Sequence, residues 1–223
     1  MRVAVYYAPL LSDPLWKLGS RWLGRDAETG ASVAQPDVPG IAEITADARH
    51  YGFHATLKPP MRLQPGVTWD AIVTGADDIA RTTAPFDLPP IAIGDLGGFL
   101  AIVTPDAGSA LTAFCDAWVR GMDGFRAPPS EAELAKRRSS RLSARQNELL
   151  ERWGYPYVFD AWFFHMTLTQ RLTLEQQVVF RPAIDALFGP TLAAPRRVSD
   201  VCLYTQEHDA APFLLAERLP LRG

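Results

Sequence analysis

Two of the 4 histidines in this chain stand in the same short string, His54-Ala55-Thr56-Leu57 and His165-Met166-Thr167-Leu168, each preceded by a phenylalanine. Imidazole titrates near neutrality, so it can accept or donate a proton there. A threonine hydroxyl can donate a hydrogen bond to an oxygen that gathers negative charge. Two imidazoles and two hydroxyls together suit displacement at phosphorus. One ring takes a proton from the attacking oxygen, the other protonates the leaving oxygen, and the hydroxyls hold the phosphate. Either histidine can fill either role. Shuffling would place the string after two histidines with a probability on the order of a few in ten thousand. The copies lie half a chain apart, which points to internal duplication.

Such side chains need an element that presents them together. Both stretches are rich in aromatic and β-branched residues, which favours strands. With a period of two, Phe53, Ala55 and Leu57 form an apolar face, and His54, Thr56 and Lys58 a polar one. Trp162, Phe164, Met166 and Leu168 likewise oppose His165, Thr167 and Thr169. Around this quartet, Tyr6, Tyr51 and Phe163 are candidate walls for a base or sugar, although aromatic residues more often fill a core. Lys58, Arg25 and Arg171 are candidate substrate contacts; Arg25, with Arg21, could reach a phosphate, and surface arginines are the alternative reading for both. His50 shares the His54 face, has no counterpart in the second half and reads as structural. His208-Asp209 reads as a turn and not as a metal pair.

The bulk numbers narrow the classes. The 223 residues, 48% hydrophobic and 21% charged, suit a globular protein with a sound core. A net charge of −3 argues against a long nucleic-acid partner and leaves a small phosphorylated substrate open. Cys115 and Cys202 form no metal or redox spacing and read as buried thiols in a reducing, cytoplasmic setting. No cofactor or metal is called for. The apolar start, 1–11, reads as a strand and not as a leader, and no apolar run is long enough to span a bilayer.

In chain order, a strand at 2–8 precedes a helix begun by Asp13 and Pro14 and ended by Gly24. A loop at 25–40 follows. His50 and Tyr51 lead into the first motif strand, and Pro59-Pro60 ends it. A helix at 69–82 and a hairpin of 86–93 with 98–104 complete a first lobe, about 1–105. The second lobe, about 106–223, opens on a helix at 109–121. Ser130 with Glu133 and Ser143 with Gln146 are capping boxes for two helices. These form an insertion, about 128–154, without a counterpart in the first half. Its basic run, Lys136-Arg137-Arg138, reads as a solvated face or as a lid over phosphate. A helix at 174–187, closed by Gly189-Pro190, and a strand pair at 198–205 and 213–219 finish the chain.

The paired His-x-Thr strings resemble the two-histidine (2H), LigT-like phosphoesterase superfamily. A closer likeness is to a branch of it found among phosphonate-utilisation proteins. That likeness rests on Pro14-Leu15-Trp16, Trp22-Leu23-Gly24-Arg25-Asp26, Tyr51-Gly52-Phe53-His54-Ala55-Thr56-Leu57-Lys58-Pro59-Pro60, Phe125-Arg126-Ala127-Pro128-Pro129-Ser130 and Arg152-Trp153-Gly154-Tyr155-Pro156-Tyr157. It implies an α+β fold: two pseudo-symmetric lobes of antiparallel strands with outer helices around a central cleft, in one domain. It implies His54 and His165 as the acid–base pair, Thr56 and Thr167 as phosphate ligands, and metal-independent cleavage of a small cyclic phosphodiester, a nucleotide or phosphosugar. The alternatives are a non-catalytic module binding such a ligand, and processing of 2′,3′-cyclic phosphates at RNA ends.

Overall fold

The computed structural model describes residues 1–138 and 141–223, apart from the side chains of Ala132, Lys136 and Arg138. The elements are β1 (Arg2–Tyr7), α1 (Pro14–Leu23), α2 (Ile41–Ile44), α3 (Ala46–Tyr51), β2 (Ala55–Arg62), α4 (Trp69–Arg81), β3 (Phe86–Leu88), β4 (Ala92–Asp95) and β5 (Leu100–Val103). Then come α5 (Gly108–Gly121), α6 (Glu131–Arg138), α7 (Ala144–Trp153), β6 (His165–Thr167), α8 (Leu174–Leu192), β7 (Arg196–Val198), β8 (Asp200–Gln206) and β9 (Leu214–Pro220).

Among the described residues, seven strands form one antiparallel sheet in the order β4-β5-β6-β2-β1-β8-β9. The two motif strands, β2 and β6, are neighbours at its centre. Each flank draws on both sequence halves. β4 and β5, from residues below 105, extend the β6 side, and β8 and β9 extend the β1 side. α1, α4, α5 and α8 cover the apolar face, with α5 against β2 and α8 against β4. The core there is built from Val3, Val5, Leu57, Met166, Trp22 and Trp118. The other face carries a smaller cluster around Tyr6, Tyr204 and Phe213. The fold is therefore α+β, with helices outside an antiparallel sheet whose central polar face is open.

Local chemistry explains the element ends. Asp13 Oδ1 accepts from Leu15 N at 2.8 Å, Pro14 sits where no amide donor is needed, and Gly24 closes α1 at φ 81°. Both expected capping boxes form, at Ser130–Glu133 and Ser143–Gln146. A further one, Thr173–Gln176, opens α8.

Other expectations were displaced by contacts distant in sequence. His50 and Tyr51 end a helix and do not open the motif strand. β2 continues through Pro59 and Pro60 to Arg62. It can do so because its β1 edge keeps pairing across a register shift, and pairing with β6 is confined to Ala55. Phe86–Leu88 does not join the hairpin. Pro89 and Pro90 break that run, β3 pairs with β7 in a separate two-stranded sheet, and the hairpin is β4 with β5. α8 runs past Gly189-Pro190 to Leu192. Arg196, itself paired with Asp13, takes up the carbonyls of Thr191 and Ala194, so the last turn is capped from outside the helix.

Candidate active site

The alternation expected at the motifs is present. Phe53, Ala55 and Leu57 are buried, as are Phe164, Met166 and Leu168, while His54, Thr56, His165 and Thr167 are only half-buried. Ala55 pairs with Met166. Continuing that antiparallel register sets His54 opposite Thr167 and Thr56 opposite His165, all four on one face. The histidines thus stand at diagonal corners of a quadrilateral and the threonines at the other two. Diagonal neighbours on an antiparallel pair lie about 7–8 Å apart.

Both rings are anchored alike. His54 Nδ1 lies 2.9 Å from the Gly52 carbonyl, and His165 Nδ1 lies 3.2 Å from that of Phe163. Each carbonyl belongs to the residue two before its histidine. It can only accept, so Nδ1 carries the proton and Nε2 is left to act. Thr56 Oγ1 is 3.2 Å from His54 Nε2. The ring of His54 also stacks on Tyr6, with centroids 3.6 Å apart. Phe163 stacks on His165 at 4.7 Å.

Gly52 makes the His54 anchor possible. Its φ of 83° lies in the left-handed region, and a Cβ there would sit 2.6 Å from the Ala27 Cβ. Burial lowers the His54 pKa to about 4, assisted by the charge of His165 and opposed by the Gly52 bond. Burial lowers the His165 pKa as well, against its bond to Phe163. In the ligand-free cleft at neutral pH both rings are therefore neutral.

The quartet opens into a cavity of about 230 Å³. Tyr6, which is buried, and Tyr51 line it. Arg2, Tyr155 and Arg137 line it too. Arg2 was legible in principle, because it shares the alternation of β1 with Tyr6. Arg137 belongs to the basic run considered as a lid; the side chains of its neighbours Lys136 and Arg138 lie outside the described residues. An adjoining cavity of about 380 Å³ shares Thr56, Tyr155 and His165 and is walled by Phe163, Phe99 and Trp162, with Arg171 at its side.

Other candidates lie elsewhere. Lys58 is 2% exposed and donates to the Val119 carbonyl at 2.9 Å and to Asp123 Oδ1 at 3.0 Å. It lines a smaller neighbouring cavity and not the histidine one. Arg25 is buried, with Nε donating to Arg49 O and Nη2 to His50 O, so it braces the turn before His54. Thr169 leaves the polar face; it is buried and its hydroxyl accepts from Leu100 N. His50 contacts Gln206. Among the described residues, no group of three or more His, Cys, Asp or Glu gathers as metal ligands. Both cysteines are buried free thiols, and no described helix is long and apolar enough to cross a membrane.

The antiparallel sheet thus presents a His-x-Thr pair from each of its two central strands into one cleft. The chain belongs to the family described as "Protein of unknown function (DUF1045)", whose model matches residues 56–214. It is 37% identical over 231 residues to "Ribose 1,5-bisphosphate phosphokinase PhnN" of Janthinobacterium sp. (strain Marseille). It is 36% identical over 217 residues to the protein of that name from Laribacter hongkongensis. These matches cover 100% and 96% of this chain but 51% and 50% of the relatives, so the chain spans about half their length. Among solved structures it is similar to E. coli LigT complexed with NADP+, at TM-score 0.45 and 11% identity, covering 100% of this chain and 98% of that one. It is also similar to TT0787 of Thermus thermophilus, at TM-score 0.48 and 14% identity, covering 100% and 99%.

Proposed function

We propose that the chain is a metal-independent phosphodiesterase acting on a small cyclic phosphodiester, with His54 and His165 as the acid–base pair. The observation that carries this reading is the reciprocal placement of the two His-x-Thr pairs across β2 and β6. One Nε2 removes a proton from water as its oxygen attacks phosphorus. The bond from phosphorus to the ring oxygen breaks, and the other imidazole, protonated at Nε2, gives its proton to that oxygen. Thr56 and Thr167 donate to the non-bridging oxygens. A bound anion favours the charged ring, which supplies the proton that the ligand-free cleft withholds.

The relatives' name concerns a phosphorylated ribose, and this favours a phosphosugar over a plain nucleotide as the substrate, within phosphonate metabolism. The sequence of this chain has no G-x-x-x-x-G-K-S/T loop of the kind that cradles nucleotide phosphates. The reading therefore attaches to the two-histidine chemistry and not to phosphate transfer from a nucleotide. The test is turnover of a panel of ribose cyclic phosphodiesters in the presence of EDTA. Hydrolysis that survives chelation supports the reading. Activity that is lost in EDTA and restored by zinc or manganese would overturn it.

A further inference from the structure

The histidine cavity is larger than one phosphate needs and carries two cationic side chains besides the quartet. At about 230 Å³ it far exceeds the roughly 10–15 Å³ that a single water needs. A phosphate group has five heavy atoms, so a second small group fits beside it. The His–Thr quartet occupies one region. The same cavity is also lined by two guanidinium groups, Arg2 at the start of β1 and Arg137 on α6, and by Tyr6, Tyr51 and Tyr155. Among the described residues no carboxylate lines this cavity, although Asp and Glu outnumber Lys and Arg in the chain by 25 to 22.

Both arginines are held against the wall. Arg137 lies over the Tyr155 ring, 4.6 Å from its centroid. Arg2 lies 5.6 Å from the Phe213 centroid, and its Nε donates to Gln206 Oε1 at 2.6 Å. Asp209, the carboxylate nearest Arg2 at 3.6 Å, is 81% exposed and outside the cavity. A stacked, pinned guanidinium loses little freedom when it grips an oxyanion, and its planar fork suits phosphate.

We propose that Arg2 and Arg137 form a second phosphate subsite, so that the substrate is a cyclic phosphodiester that also carries a phosphomonoester. This rests on the reading of the quartet as the seat of the cyclic phosphate. It goes beyond that reading by naming a second group. The tyrosines that line the same cavity would face the sugar that joins the two.

The test uses a matched pair of substrates, adenosine 2′,3′-cyclic phosphate with and without a 5′-phosphate. For wild type, kcat/KM on the 5′-phosphorylated member should exceed that on the other by about 10–100-fold, the worth of charge-assisted contacts to one anion. In Arg137→Gln and in Arg2→Gln that ratio should fall toward one, chiefly through KM. A wild-type ratio near one, or a ratio that both variants preserve, overturns the subsite and leaves the phosphodiesterase reading intact. Calorimetry with ribose 5-phosphate and ribose 1,5-bisphosphate gives a readout independent of turnover. Tighter binding of the bisphosphate by wild type, with the advantage lost in Arg137→Gln, supports the subsite even where neither cyclic substrate is hydrolysed, in which case the catalytic reading fails alone. Equal binding of both sugars by wild type overturns the subsite.

Discussion

Trp162 donates its indole N–H to the carbonyl oxygen of Thr56 at 2.8 Å. The contact joins the segment before His165 to the strand after His54. It matters because β2 and β6 share a single residue pair, Ala55 with Met166. Two strands so briefly paired could shear against each other, and the quartet depends on their register. From the helical side, Trp22 Nε1 donates to the Leu168 carbonyl, also at 2.8 Å, and holds the far end of the second motif.

Trp162→Phe keeps most of the ring and loses the donor. It should lower kcat by about 10–100-fold, the cost of about 1 Å of misplacement between reacting groups. KM should change little, because neither proposed phosphate ligand is removed. Steady-state kinetics beside a urea midpoint checks this. A variant with unchanged kcat would show that the pairing of β2 and β6 needs no brace.

The pH dependence follows from the two depressed histidines. The base must be neutral and the acid charged, so kcat/KM peaks between the two free-enzyme pKa values whichever ring plays which part. One lies at about 4 and the other below the ordinary 6.5. The kcat/KM optimum should therefore fall below pH 6.5. Bound phosphate raises the pKa of a ring, so the kcat optimum should lie higher. For the same reason binding takes up a proton, and affinity for a phosphate ester should rise as pH falls from 7 toward 5. Calorimetry in buffers of differing ionisation enthalpy measures that uptake; proton release on binding would contradict it.

His54 also leaves a mark on stability. The unfolded ring gains its proton near pH 6.5, and the folded one not until about 4. Below pH 6.5 the unfolded state binds more protons, so stability should fall as pH drops through this window and level off beneath it. In His54→Gln that part of the slope should be absent. Urea titrations at pH 4, 5, 6 and 7 check it, and identical slopes in both proteins would refute the assignment.

Lys58 and Asp123 should behave as structure. Asp123→Ala strands a buried ammonium and should cost about 3–5 kcal/mol. Lys58→Met fills the same space without a charge and should cost less. Denaturant unfolding orders the two variants, and the reverse order would return Lys58 to the list of substrate contacts.

What could be read in the sequence was what depends on near neighbours. Period-two alternation put His54 with Thr56, and His165 with Thr167, on a polar face, because each pair lies within one strand. The same alternation misplaced Thr169, since β6 ends at Thr167 and the chain then turns inward to meet Leu100. Lys58 looked solvent-facing because its partner Asp123 arrives from beyond α5. The pairing of β3 with β7, and the continuation of α8 through Pro190, rest on contacts with segments far along the chain. Arg137 was visible as part of a charge run, yet only the folding of α6 over the cleft brings it beside Tyr155.

The central claim is that both histidines act on one phosphorus. It is tested most directly by kcat/KM of wild type, His54→Ala and His165→Ala on a cyclic phosphodiester that wild type hydrolyses, each variant first shown to be folded by circular dichroism. The account predicts a loss of about 10²–10⁴-fold for each single variant. The double variant should lose much less than the product of the two, because the rings work as a unit. Near wild-type turnover by either single variant would contradict it.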